Sequence, residues 1–204
     1  AARSAGEGLP ERAAHVRTGA RSVQTRRDAI VTRFAGLPEV MSHLRRRYSY
    51  GAWRSIDNAP ATVEAALTAT ASDIEQLGAL LARTPLDVPA AADLLAKVRK
   101  DLDAGDEAIR AATSLRDRLD AVADDPDALL ARLRHRLIDA RRFLAARPPA
   151  DTTRYGPTLD ALAQRTDKLA TAVQAVRPDW GAVLSESEAI DVGLDSMIRT
   201  ARAH

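Results

Sequence analysis

Apolar residues recur every third or fourth position along most of the chain, and this spacing constrains the fold more than any other feature. It places these side chains on one narrow stripe of an α-helix, which is buried only by packing against stripes of neighbouring helices. The clearest stripe lies between residues 60 and 83 and consists of Val63, Leu67, Thr70, Ile74, Leu77 and Leu81. The sequence therefore predicts an all-α protein built as an antiparallel helical bundle.

Prolines and short polar turns divide the chain into helical segments, because proline suits the first turn of a helix but disrupts its interior. The predicted helices cover residues 10–34, 38–48, 60–83, 89–122, 126–146, 157–176 and 185–203. Near Arg116 the stripe moves to another face of its helix and continues with Leu115, Leu119 and Val122. Short connections and narrow stripes favour an elongated arrangement of spectrin-like three-helix repeats over a wide globular core.

Two tryptophans occur in similar surroundings. Trp180 follows Trp53 by 127 residues, and aliphatic residues follow each Trp at positions three, ten and fourteen. A recurrence at this distance is typical of repeated helical units. It predicts helices that close a partial first bundle over residues 1–52 and a full helical repeat over residues 53–179. Residues 180–204 would then form the first helix of a following repeat or a final packing helix.

Composition narrows the possible classes of function. The chain has 30 basic and 28 acidic side chains, so it lacks a strong overall field that would attract nucleic acid or anionic lipid. It contains no cysteine, which excludes disulfides, thiolate nucleophiles and cysteine-based zinc sites. No apolar run approaches the roughly 20 residues that span a bilayer. Because only 3 % of residues are aromatic, alanine must mediate much of the helix packing.

Catalytic and metal-binding motifs are not evident in the sequence. Four histidines, His15, His43, His135 and His204, are scattered, whereas a di-iron bundle needs Glu-x-x-His pairs on facing helices. Neither a Gly-x-Ser-x-Gly turn nor a glycine-rich phosphate loop occurs. We therefore predict no catalytic residue, no metal and no cofactor, and we expect that the protein is not an enzyme.

Aromatic residues are the first candidates for docking a protein partner. Tyr48, Tyr50 and Trp53 lie close together in the sequence, and Trp180 is the second tryptophan. An exposed cluster of such rings would anchor a partner helix or peptide. The structural alternative is that each tryptophan is a buried plug that wedges the junction between two bundles.

Arginines of the segment 126–147 are the second set of docking candidates. Arg132 and Arg136 are placed to grip an acidic partner or phosphates. Neighbouring aspartates offer intramolecular partners, however, and no aromatic residues are interleaved to stack on bases. We therefore expect a protein partner or self-association, with weak DNA binding through this segment as an alternative. A third possibility is a ligand-sensing bundle with a cavity at the small residues Gly105, Ala108, Ala111 and Ala112.

Residues 47–58 have the sequence Arg-Tyr-Ser-Tyr-Gly-Ala-Trp-Arg-Ser-Ile-Asp-Asn and are followed by a heptad helix. This passage resembles the helical regions that follow the TPM domain in actinobacterial membrane-anchored proteins. It is also distantly similar to the spectrin-like repeats of the septation-ring regulator of Gram-positive bacteria. The resemblance covers mainly residues 45–81, with a weaker echo over 140–176, and includes no catalytic motif.

The resemblance implies a non-enzymatic helical arm of a larger cell-envelope protein, on the cytoplasmic face of the membrane. The chain begins without Met and stops within a predicted helix, so we expect it to be part of a longer protein. Any membrane anchor would lie outside this segment. We thus expect a spacer and docking module.

Overall fold

The protein is all-α throughout the part of the chain that the structure describes, as the sequence predicts. The structure is a computed structural model that describes residues 3–203, and side chains for residue 8 and residues 10–203. Its elements are α1 (Arg3–Phe34), α2 (Leu37–Arg47), α3 (Tyr50–Trp53), a 3₁₀ turn (Arg54–Ile56), α4 (Ala59–Leu81), α5 (Val88–Asp124), α6 (Pro126–Ala145), α7 (Pro149–Val173) and α8 (Trp180–Arg202).

Two prolines lie inside helices that were expected to begin at them. α1 begins at Arg3 and contains Pro10, and α7 begins at Pro149 and contains Pro157. An internal proline removes one hydrogen bond to the carbonyl four residues earlier. Both helices continue through that loss, so the predicted starts at these prolines were wrong.

The last helix also begins earlier than expected. α8 starts at Trp180 because the carboxylate of Asp179 accepts hydrogen bonds from the backbone N–H groups of Gly181 (3.1 Å) and Ala182 (3.2 Å). This aspartate satisfies two donors that the first turn of a helix otherwise leaves free. Trp180 is therefore the first residue of the helix and not part of a preceding turn.

The first of two compact units comprises the described residues up to His43 together with Ser55–Ser114. α1, α4 and the first part of α5 supply its core, which includes Val16, Val23, Ile30, Val63, Leu77, Leu95, Val98 and Leu102. Gly105 lies in this core, where a Cβ atom would be 3.4 Å from the Cβ of Ala66. The small size of Gly105 therefore allows close packing of the helices at this residue.

The second unit comprises Leu44–Arg54 and the described residues from Leu115 onward. α6, α7 and α8 supply most of its core, which includes Leu130, Leu133, Leu137, Leu159, Leu162, Leu169, Val183, Ile190 and Leu194. One polar residue in it, Thr166, donates its hydroxyl to the carbonyl of Leu162 at 3.0 Å. Thr70 of the first unit makes the same bond to Ala66 at 2.7 Å, so a threonine fits either apolar stripe without an unpaired hydroxyl.

α5 contributes to both units. Ile109 and Ala112 are buried and belong to the first unit, whereas Leu115, Leu119 and Val122 are buried and belong to the second. The change of face predicted near Arg116 therefore falls at the boundary between the units. These boundaries differ from those at residues 53 and 180 that the tryptophan spacing predicts, and the repeat over residues 53–179 stays a prediction.

Candidate docking surface

The two tryptophan segments meet in the second unit. Trp53 ends α3, Trp180 begins α8, and these two helices are in contact. At the contact a Cβ atom on Gly181 would lie 2.7 Å from the Cα of Ala52. Only glycine permits such an approach between two backbones. We call this region, with Tyr50, Arg54 and Arg177 beside it, the α3–α8 corner.

Trp53 and Tyr50 differ in exposure although they share one short helix. Trp53 is 7 % exposed and Tyr50 is 58 % exposed. Their ring centroids are 4.9 Å apart and the rings are perpendicular, which is a favourable edge-to-face arrangement. The guanidinium of Arg45 lies 5.5 Å from the centroid of the Trp53 ring. Trp53 thus has the burial expected of a structural plug, and it supports an exposed tyrosine.

The polar atom of Trp53 has no partner among the described residues. Its indole N–H is buried and donates no hydrogen bond to any of them. An unpaired buried donor costs about 1–3 kcal/mol. The apolar area of the indole ring must therefore outweigh this cost. Trp180 is half-buried and so contributes less apolar burial.

Tyr48 is buried and ties the end of α2 to the end of α5. Its hydroxyl donates to Oδ1 of Asp120 at 2.5 Å, and Arg47 donates to Asp120 at 3.0 Å and also to Asp124. Burial, together with this hydrogen bond to Asp120, raises the pKa of the Tyr48 hydroxyl above its ordinary range. Tyr48 is only 7 % exposed, so it offers little area to a partner. Its role is to connect α2 with α5 through Asp120.

Arg132 and Arg136 lie on the side of α6 that faces α8. Arg132 donates to Oδ2 of Asp191 at 2.6 Å, and Arg136 donates to both Asp191 and Asp195. Burial opposes the charge of Arg136, but the hydrogen bonds to these aspartates raise its pKa above the ordinary value. Both arginines are thus engaged in an ion-pair network between helices.

The sequence contains a signal for this network that the sequence analysis missed. Asp191 and Asp195 are four residues apart, as are Arg132 and Arg136. Residues with this spacing lie on one face of a helix. Two such pairs of opposite charge can meet when α6 and α8 are neighbours, but their spacing alone does not select α8 as the partner of α6.

Other cations of α6 remain at its surface. Arg134 is exposed and forms no ion pair with a described residue. His135 lies 3.3 Å from Asp139, Arg142 lies 3.7 Å from Asp139, and Arg141 lies 3.9 Å from Asp160. Acidic side chains are thus interspersed along this helix, which weakens its attraction for phosphates.

An open groove lies between the end of α5, the start of α6 and the middle of α8. Its volume is about 450 Å³. The groove is lined by the apolar side chains of Val122, Leu129 and Leu184 and by two ion pairs, Arg118 with Glu188 and Arg132 with Asp191. A second open groove, of about 460 Å³, lies in the first unit and is lined by residues that include Ala66, Asp101 and Ala104, next to Gly105.

In the part of the chain that the structure describes, no cluster of three or more histidine, aspartate or glutamate side chains is arranged to hold a metal ion. None of the described helices has a stretch long and apolar enough to cross a bilayer. Comparisons with protein-family models, with curated proteins and with solved structures found no match. The resemblance of residues 47–58 to helical regions beside TPM domains therefore stays an expectation from the sequence.

Proposed function

We propose that this chain is a non-enzymatic helical module that acts as a spacer and a protein-docking surface within a larger cell-envelope protein. The observation that carries the proposal is the exposed ring of Tyr50, supported by the buried ring of Trp53 at the α3–α8 corner. A rigidly held aromatic side chain at the surface is a common anchor of protein interfaces.

Ion pairs between helices support the structural part of this proposal. Lys97 donates to both carboxylate oxygens of Asp73 at 3.0 and 2.7 Å. Arg165 pairs in the same way with Glu186 at 2.7 and 2.9 Å. Each of these pairs joins two neighbouring helices of one unit and contributes only modestly to stability, because its cation is partly exposed to solvent.

The spacer role is tested by small-angle X-ray scattering. A compact chain of this length would have a radius of gyration of about 17 Å. We expect a clearly larger value for a module that separates other parts of a protein. A measured value near that of a compact chain would contradict the spacer role.

The cell-envelope assignment is tested by fractionating cells that produce the full-length protein. We expect the protein to sediment with membranes and to be released by detergent. Complete recovery in the supernatant would contradict the assignment.

Ligand binding is a second candidate function, and the groove of about 450 Å³ in the second unit favours it. Pockets that hold small molecules have volumes of roughly 300–1,000 Å³. Binding of an apolar fluorescent probe such as anilinonaphthalene sulfonate, lost in an Ala128→Phe variant that fills the groove, would support it. Equal binding by both proteins would count against this groove as the site.

A further inference from the structure

The chain around the α3–α8 corner is rich in arginine. Residues 44–57 contain four arginines and one acidic residue, Asp57, and Arg47 is paired with Asp120 and Asp124. Arg54 follows α3 and Arg177 precedes α8, and both side chains are exposed. Neither forms an ion pair with an acidic side chain in the described part of the chain. Both guanidinium groups are therefore open to a partner.

The acidic residue nearest to Arg177 in the sequence is already engaged. The carboxylate of Asp179 accepts the N–H groups of Gly181 and Ala182 and thereby caps α8. This role keeps the carboxylate at the helix end, where the exposed N–H groups attract negative charge. Asp179 keeps its negative charge in this role but forms no ion pair with Arg177.

Accessible aromatic and backbone surface lies beside these cations. Tyr50 is 58 % exposed, and Trp180 is half-buried. No heavy atom lies within 4 Å of the position that a Cβ atom on Gly51 would take, so the backbone of α3 is open to contact there. The corner thus combines a flat aromatic surface with positive charge.

We propose that the α3–α8 corner binds an acidic polypeptide segment, with its carboxylates on Arg54 and Arg177 and an apolar side chain against Tyr50 and Trp180. This proposal rests on the proposed docking function and names the chemistry of the partner. Complementary charge is what selects the occupant. A nucleic acid is disfavoured because it needs a continuous track of cations along its phosphates, and the net charge of the chain is only +2.

The two tryptophans supply a direct readout of this binding. They are the only two in the chain, and both belong to the α3–α8 corner. A suitable probe is a synthetic 12-residue peptide of alternating Glu and Asp with one central Phe. We expect a saturable change in tryptophan fluorescence on titration at low salt, and weaker binding as the salt concentration rises.

Variants locate the binding site. We expect Arg54→Ala with Arg177→Ala to weaken binding about tenfold, because both charge contacts are lost. We expect Tyr50→Ser to weaken it by about fivefold. The matched control is Arg134→Ala with Arg141→Ala, which removes two exposed arginines of α6 and is expected to change the affinity less than about twofold. Circular dichroism establishes that each variant remains folded.

Three outcomes would overturn the proposal. The first is that the wild-type protein shows no saturable response to the acidic peptide. The second is that the control variant weakens binding as much as the Arg54→Ala, Arg177→Ala variant. The third is that the protein binds a single-stranded oligonucleotide tightly and does not bind the peptide. A negative peptide titration would exclude the acidic partner. It would not bear on the spacer role, which small-angle scattering tests separately. Conversely, a compact scattering profile with specific peptide binding would remove only the spacer role.

Discussion

Ala52 and Gly181 approach each other so closely that a Cβ atom on Gly181 would lie 2.7 Å from both the Cα and the Cβ of Ala52. The obstacle is the backbone of α3 itself and not the end of a flexible side chain. The position where α3 meets the first turn of α8 therefore depends on the absence of a side chain at residue 181.

Substituting Gly181→Ala is expected to lower the free energy of unfolding by about 1–3 kcal/mol, because α3 and α8 must move apart. Urea denaturation followed by circular dichroism measures the change. The matched variant is Gly78→Ala, where no heavy atom lies within 4 Å of the new Cβ position inside α4. It is expected to raise stability by about 0.5–1 kcal/mol, since alanine favours a helix over glycine. Equal effects of the two substitutions would contradict the close approach.

The two tryptophans are expected to differ in their contribution to stability. Trp53→Ala should cost about 3–5 kcal/mol, because it removes a large buried ring. Trp180→Ala should cost less, about 1–3 kcal/mol, because part of that ring is exposed. Thermal and urea denaturation of both variants give the comparison. A Trp53→Ala protein as stable as wild type would show that Trp53 is not a structural plug.

Arg136 is expected to matter more for stability than Arg134 on the same helix. Arg136→Ala removes the guanidinium that bridges Asp191 and Asp195, and we expect a loss of about 1–2 kcal/mol. Arg134 forms no ion pair with a described residue, so Arg134→Ala should change stability by less than about 0.5 kcal/mol. Urea denaturation at low and high salt measures both stability losses. Added salt should reduce the difference between the Arg136→Ala and Arg134→Ala variants, because it screens the ion pairs. The opposite ranking would mean that the α6–α8 network does not form in solution.

Ionisation of Tyr48 is expected to lower the free energy of unfolding at alkaline pH. Its pKa is raised in the folded protein, so the folded state retains the phenolic proton that the unfolded state loses above about pH 10. The stabilisation is therefore complete below that pH and decreases as the pH rises above it. Between pH 10 and 11 we expect wild type to lose up to about 1 kcal/mol more than Tyr48→Phe. Denaturation curves of both proteins at pH 9, 10 and 11 measure this, and parallel losses would contradict it.

Periodicity predicts most of the helices because it reports directly on which side chains are buried. It also predicts the change of face in α5, since Leu115, Leu119 and Val122 follow a new spacing that the structure confirms. Helix starts are less predictable, because proline is taken as a boundary although α7 continues through Pro157. Asp179 is an N-cap signal for the start of α8, but the predicted start at residue 185 overlooked it.

The arrangement of the candidate site depends on which helices are neighbours, and a helical stripe does not specify its partner. Trp53 and Trp180 are far apart in the sequence, so their approach follows only from the contact between α3 and α8. Arg132 and Arg136 are predicted as docking residues because an exposed arginine and a paired one have the same local sequence. Only the position of Asp191 on the facing helix distinguishes the two cases.

The two units are interleaved along the polypeptide. Leu44–Arg54 belongs to the second unit although residues of the first unit lie on both sides of it in the sequence. Neither unit corresponds to one uninterrupted piece of the gene, so genetic recombination cannot exchange either of them through a single crossover. This arrangement favours inheritance of both units together during evolution.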